Sequence, residues 1–171
     1  AGLRPFAQSW AADFADIDND GDLDCFLITH DSPCRLYMNN GMGFFTEITA
    51  QSGMLPALNA TGPGLQVKFE DFDNDGFVDL LYTAISGTHL LFRNNGNRTF
   101  TNVANAFPVN VSRIHSATTG DLDNNGYMDI YASFGSGYNT PGGFPDKLLL
   151  NQLSGNNFIK VRLRGTASNI N

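Results

Sequence analysis

At 171 residues, 42% hydrophobic and 16% charged, the chain is long enough for one domain with a real core and too short for two of ordinary size. Its net charge of -7 does not fit the basic face of a nucleic-acid binder, and no uninterrupted apolar stretch approaches the roughly 18 residues needed to cross a bilayer as a helix. Eighteen glycines among many Asn, Thr and Ser give the profile of a turn-rich β protein.

Residues 1–8 carry no pattern and read as a lead-in; they contain neither a charged n-region nor an apolar h-region, so an export signal is expected to be already removed or to lie outside this sequence. Residues 9–15, small side chains broken by Trp10 and Phe14, read as a strand running into the acidic loop Asp16-Ile17-Asp18-Asn19-Asp20-Gly21-Asp22-Leu23-Asp24. The apolar run 25–29 is a second strand, residues 30–33 are turn material, and 35–38 form a third strand. Asn39-Asn40-Gly41 is a strong turn signal, because Asn and Gly accept positive φ, and residues 44–49 close the unit as a fourth strand.

The order then repeats. Residues 65–69 lead into Asp71-Phe72-Asp73-Asn74-Asp75-Gly76-Phe77-Val78-Asp79, residues 80–84 leave it, and 90–93, the turn Asn94-Asn95-Gly96 and 99–103 follow. Asp16 to Asp71, Leu36 to Leu91, Gly41 to Gly96 and Phe45 to Phe100 are each 55 positions apart, which establishes an internal repeat. A third copy starts 50 residues later: 113–119, the loop Asp121-Leu122-Asp123-Asn124-Asn125-Gly126-Tyr127-Met128-Asp129, then 130–133. There a Gly- and Pro-rich insertion, 135–146, precedes residues 148–151; such insertions usually occupy one surface, and they cost little entropy as plain surface loops. The units are bounded as 9–55, 65–104 and 113–155, with 156–171 beyond them. Repeats of about 50 residues, each four short strands with no helical period, predict an all-β fold of β-propeller blades. Three four-stranded repeats fall short of the four blades at the low end of the range, so a larger or oligomer-completed propeller is expected.

The acidic loops carry the chemistry. Carboxylates at positions 1, 3, 5 and 9 converge if the backbone turns sharply between them, and glycine at position 6 permits that turn. With a main-chain carbonyl from position 7, this is an oxygen set for a hard cation, Ca2+. The candidate ligands are Asp16, Asp18, Asp20, Asp22 and Asp24; Asp71, Asp73, Asp75, Phe77 and Asp79; and Asp121, Asp123, Asn125, Tyr127 and Asp129, with Asp22, Phe77 and Tyr127 acting through their carbonyls. An EF-hand is excluded because position 12 is Leu27, Tyr82 or Ala132, not a bidentate Glu, and strands flank the loops. Plain polar turns would have to tolerate clustered carboxylates without a counter-ion. Asn125 replaces an aspartate, so the third site is expected to bind most weakly. Eleven of the 17 acidic residues are the aspartates of these sets other than Asp22; without them the charge becomes +4, and three Ca2+ bring the whole chain to -1. The acidity is mostly metal-site acidity.

Cys25 stands where the other copies have Leu80 and Ile130, which suits a small buried hydrophobe, and a hairpin turning through 30–33 does not set it opposite Cys34; both are expected free. His30, His89 and His115 occupy different positions of their repeats, and no catalytic residue or enzymatic role is predicted. Sequons at Asn59, Asn97 and Asn110 are no more frequent than chance allows and only permit glycosylation.

Three stretches resemble a known family: Phe14-Ala15-Asp16-Ile17-Asp18-Asn19-Asp20-Gly21-Asp22-Leu23-Asp24, Leu36-Tyr37-Met38-Asn39-Asn40-Gly41, and His115-Ser116 running to Gly120-Asp121-Leu122-Asp123. They are similar to FG-GAP/VCBS repeats of the cartilage acidic protein group, and Asn156-Asn157-Phe158-Ile159-Lys160-Val161-Arg162-Leu163-Arg164-Gly165, then Ser168-Asn169, resembles the opening of that group's ASPIC/UnbV segment. The resemblance implies a calcium-bearing propeller, extracellular, on the cell surface or periplasmic, with integrin α heads as distant cousins, and it does not imply an enzyme. Family propellers have about seven blades, so the chain is expected to be a piece of a longer protein or a unit completed by other copies. The expected role is binding, adhesion or assembly toward a protein or glycan partner or further copies of itself, with three structural Ca2+. The alternatives are a filament subunit and an accessory domain of an exported carbohydrate-active enzyme.

Overall fold

The computed structural model describes residues 2–3, 8–30, 33–107, 112–135, 143–156 and 158–159. The first sheet is β1 (Ser9–Ala15), β2 (Asp24–Thr29), β3 (Arg35–Asn39) and β4 (Phe45–Glu47), in that order. A short helix, α1 (Leu55–Thr61), leads to the second sheet: β5 (Gly64–Glu70), β6 (Asp79–Ala84), β7 (Leu90–Asn94) and β8 (Phe100–Asn102). The third contains β9 (Ile114–Gly120), β10 (Asp129–Phe134) and β11 (Lys147–Leu149), and every pairing is antiparallel. These are propeller blades. The described part of the third has three strands; residues 160–171, and insertion residues 136–142, lie outside the described residues, as does the sequon at Asn110.

The second strands of the first two blades are the most buried because each is covered on both faces. All six residues of β2 and of β6 are buried, and their near-continuous apolar runs follow from that. First strands meet at the junctions between blades: the Phe69 N–H donates to Asp13 Oδ2 at 2.9 Å, and the Gln66 amide exchanges two bonds with the Ala117 main chain, at 3.0 and 2.6 Å. The main core fills the first junction with Phe26, Leu36, Met54, Leu58, Phe69 and Tyr82 among others. A smaller cluster at the second includes Phe72, Leu81, Ile114, Ala117, Ile130 and Phe134.

The helix corrects the expectation of no helix. Seven residues are too few to display a 3.6-residue period, and Pro56 in its first turn reads from sequence as loop material. With no side-chain cap, it is held by burial of Leu58 beside Met54, in the main core. Both cysteines are free and buried, and Cys25 pairs in register with Tyr37, not Cys34. Among the described residues no helix is long and apolar enough to cross a membrane.

Candidate metal centres in three acidic loops

Each loop folds through its own carboxylates. In the first, the N–H groups of Asp20 and Gly21 donate to Asp16 Oδ1 and Oδ2 at 3.0 and 2.9 Å; in the second, those of Asp75 and Gly76 donate to Asp71 at 3.2 and 3.0 Å. Position 5 then caps position 7: the N–H groups of Asp22, Phe77 and Tyr127 donate to Oδ1 of Asp20, Asp75 and Asn125 at 3.0, 2.9 and 2.8 Å. The glycines at position 6 have φ of 92°, 91° and 93°, as their place in the turn requires. The sequence reading missed that the asparagines at position 4 are also left-handed: Asn19, Asn74 and Asn124 have φ of 59°, 57° and 65°. Asn tolerates this conformation best among residues with a Cβ, which is the signal that could have found it.

Position 9 is the structural brace. Asp24, Asp79 and Asp129 are at most 2% exposed. One oxygen of each receives the position-2 N–H of its loop, from Ile17, Phe72 and Leu122, at 3.1, 3.0 and 2.8 Å. The other receives the N–H of an asparagine following the third strand or ending it, from Asn39, Asn94 and Asn151, at 2.7, 2.9 and 2.8 Å. Burial raises Asp24 to about 6 and Asp79 to about 7 from an ordinary 3.8, against these N–H donors, which lower them.

The structure brings positions 1, 3 and 9 together in every loop. One carboxylate oxygen from each of Asp16, Asp18 and Asp24 lies within 4.8 Å of the others, and the same holds for Asp71, Asp73 and Asp79 and for Asp121, Asp123 and Asp129. Asp20 and Asp75 do not join these sets. The side chains at position 7 turn to the third-to-fourth-strand side: Asp22 lies against Gly41 and the Phe77 ring against Gly96, where a Cβ would meet them at 2.7 and 2.8 Å, and the Tyr127 hydroxyl exchanges bonds with the Asn156 main chain at 3.1 and 3.0 Å.

A cation fits the first set on an observation beyond its acidity. The Asp18 side chain is 7% exposed, and its Oδ1 is buried with no hydrogen-bond partner, while Oδ2 is held by Arg98. A desolvated carboxylate oxygen left unpaired is costly, and an oxygen-only donor set suits Ca2+ or Mg2+ over softer metals.

Two further features were not legible in the loops. Arginines reach into them: Arg98 to Asp18, and Arg93 to Asp73 and Asp75 at 2.7 and 2.9 Å, which raises the Arg93 pKa further. The asparagines bonded to position 9 also clasp successive blades: Asn94 Nδ2 donates to the Ile17 carbonyl of the first blade at 2.8 Å, and Asn151 Nδ2 to the Phe72 carbonyl of the second at 2.7 Å. Position 4 adds a second clasp, Asn19 Nδ2 to the Gly76 carbonyl and Asn74 Nδ2 to the Gly126 carbonyl, at 3.0 and 2.9 Å. His89, by contrast, is pinned structurally, its Nδ1 accepting from the Ala84 N–H at 3.1 Å and its Nε2 lying 3.0 Å from the Ser112 carbonyl.

The chain is similar to known proteins. Cartilage acidic protein 1 of Xenopus tropicalis is 27% identical over 133 residues, which cover 76% of this chain and 20% of that protein. Cartilage acidic protein 1 of Homo sapiens is 29% identical over 112 residues, covering 63% and 16%. The chain thus spans a fifth or less of the curated relatives it matches. The family model for the FG-GAP-like repeat matches residues 16–82 and 71–132, so each match begins at the first aspartate of an acidic loop. With blades, loops and this match in agreement over residues 16–132, the chain belongs to the FG-GAP-like repeat family.

Proposed function

We propose that the chain is a calcium-binding β-propeller module that acts outside the cytoplasm by holding a protein or glycan partner, and that it performs no catalytic step. The observation that carries this is the recurrence of one three-carboxylate convergence at three loops, with a buried, unpaired Asp18 oxygen in the first. Asp16, Asp18 and Asp24, with their counterparts in the other loops, would hold the ions; Asp20, Asp75, Asn125 and the position-7 carbonyls are the further oxygens available. Bound calcium supplies the positive charge that lets these carboxylates stay together. Its role is structural, because the unfolded chain lacks the site and binding therefore stabilises the fold. Modest affinity suffices where calcium is millimolar, which supports an extracellular, cell-surface or periplasmic setting. Residues 156–171 begin an ASPIC/UnbV-like segment on this reading.

The test is thermal unfolding after chelation, then with millimolar Ca2+ or Mg2+. A large calcium-selective rise in Tm is expected; no shift would overturn the metal reading and reopen a catalytic one for the aspartates.

A second reading, a subunit of a filament or larger assembly, is favoured by one gradient. The position-2 side chains Ile17 and Phe72 are 0% and 4% exposed where a following blade covers them, but Leu122 on the third blade is 55% exposed. Light scattering across a concentration series separates the two: a defined particle supports the module, and concentration-dependent polymers the subunit.

A further inference from the structure

We propose that Arg98 and Arg93 are built-in counter-cations of the first two loops, which stabilise the metal-free carboxylates, weaken calcium binding, and in the case of Arg98 tie the first loop to the second blade. This rests on the calcium reading above.

Arg98 lies in the turn between β7 and β8 and has φ of 67°, a left-handed conformation unusual for a residue with a long side chain. From there it reaches a residue 80 positions earlier: its Nε and Nη2 both lie 2.7 Å from Asp18 Oδ2. The two oxygens of Asp18 are thereby divided. One belongs to the arginine of the next blade, and the other is buried and unpaired in a residue of the convergent set.

The second loop repeats the device from within its own blade. Arg93, on β7, lies 2.7 Å from Asp73 Oδ2 through Nε and 2.9 Å from Asp75 Oδ2 through Nη2. In the third loop the position-3 aspartate receives a neutral amide instead, Asn125 Nδ2 to Asp123 Oδ2 at 3.3 Å. Asn94 and Asn151 are equivalent, since each gives its N–H to the position-9 aspartate, so Leu150 stands in the place of Arg93. The third loop has therefore lost a negative and a positive charge together. Asn125 taken alone makes the third site the weakest, whereas the paired loss brings it close to the second.

A guanidinium on one oxygen of a carboxylate relieves repulsion among the aspartates and repels a divalent cation at the other. Removing it must shift metal-free stability and calcium affinity in opposite directions. A brace that only positions Asp18 would lower both.

The experiment is calorimetric Ca2+ titration, with melting in chelator, of the wild type, R98Q, R98K, D18N and D18N/R98Q. R98Q is expected to bind calcium about tenfold tighter at one site, yet to melt about 2–4 °C lower in chelator, whereas R98K, which keeps the charge, binds like the wild type. In the D18N background R98Q should leave the remaining sites unchanged. Unchanged or weaker binding in R98Q, or tighter binding that survives D18N, overturns the proposal while leaving the calcium reading intact. A wild type that takes up no calcium overturns both. If R98Q fails to fold, R93Q carries the same test at the second loop.

Discussion

The two junctions between blades share their polar clasp and differ in their apolar filling. At both, an asparagine amide crosses to the position-2 carbonyl of the preceding blade, and a position-4 asparagine crosses forward to the next loop's glycine carbonyl. At the first junction Met54 and α1 residue Leu58 are buried beneath the loops, and a cavity of about 360 Å3 remains between His30, Cys34, Leu58 and Tyr82. At the second, which has no such helix among the described residues, a cavity of about 410 Å3 lies between Phe72, Leu91, Phe107, Met128, Ile130 and Leu149. Blade register is thus set at the loops by directed hydrogen bonds, which repeat because the loop sequence repeats. What packs beneath them is supplied by the linkers, which do not repeat: 55 residues separate the first two loops and 50 the next. The loops are the constant part of the architecture, and the residues under them vary.

The largest expected effect comes from breaking what the junctions share. Asp79→Ala leaves the buried N–H groups of Phe72 and Asn94 without their acceptor, at a cost of about 3 kcal/mol or more, read from urea denaturation in chelator. A loss below about 1 kcal/mol would mean that the position-9 aspartate serves the metal alone. Next comes the difference between the junctions. Leu58→Ala removes a 5%-exposed side chain from beneath the first junction and should cost about 2–4 kcal/mol, whereas Leu153→Ala, at the rim of the second junction's cavity and 52% exposed, should stay within about 0.5 kcal/mol. Equal losses would show that α1 does not distinguish the junctions.

The smallest effect is a pH slope. Asp24 and Asp79 keep their protons up to about 6 and about 7 in the metal-free fold, against 3.8 ordinarily. Between about 4 and 7 the folded state therefore binds more protons than the unfolded one. The contribution of this pair is greatest below about 4 and is lost as pH rises through their folded values. Melting in chelator at pH 4.5, 6 and 7.5 should show this decline, and Asp79→Asn should flatten it; a curve that rises steadily with pH would contradict it.

The sequence by itself determined the blades and the loops. The 55-residue offset, the strand-length apolar runs and the Asp-x-Asp-x-Asp/Asn-Gly spacing are local patterns, and local patterns fix turns and strand identity before any tertiary contact forms. Free cysteines followed from the same reasoning, since hairpin register decides which residues can face one another. What only the tertiary structure decided lies between units. Helix α1 was illegible because its stability comes from burying Leu58, not from propensity or capping. The crossing of Asn94 and Asn151, and the reach of Arg98 to Asp18 across 80 residues, depend on how one blade is set against the next. The repeat spacing places residues within a blade, and the angle between blades is set by the packing of whole faces.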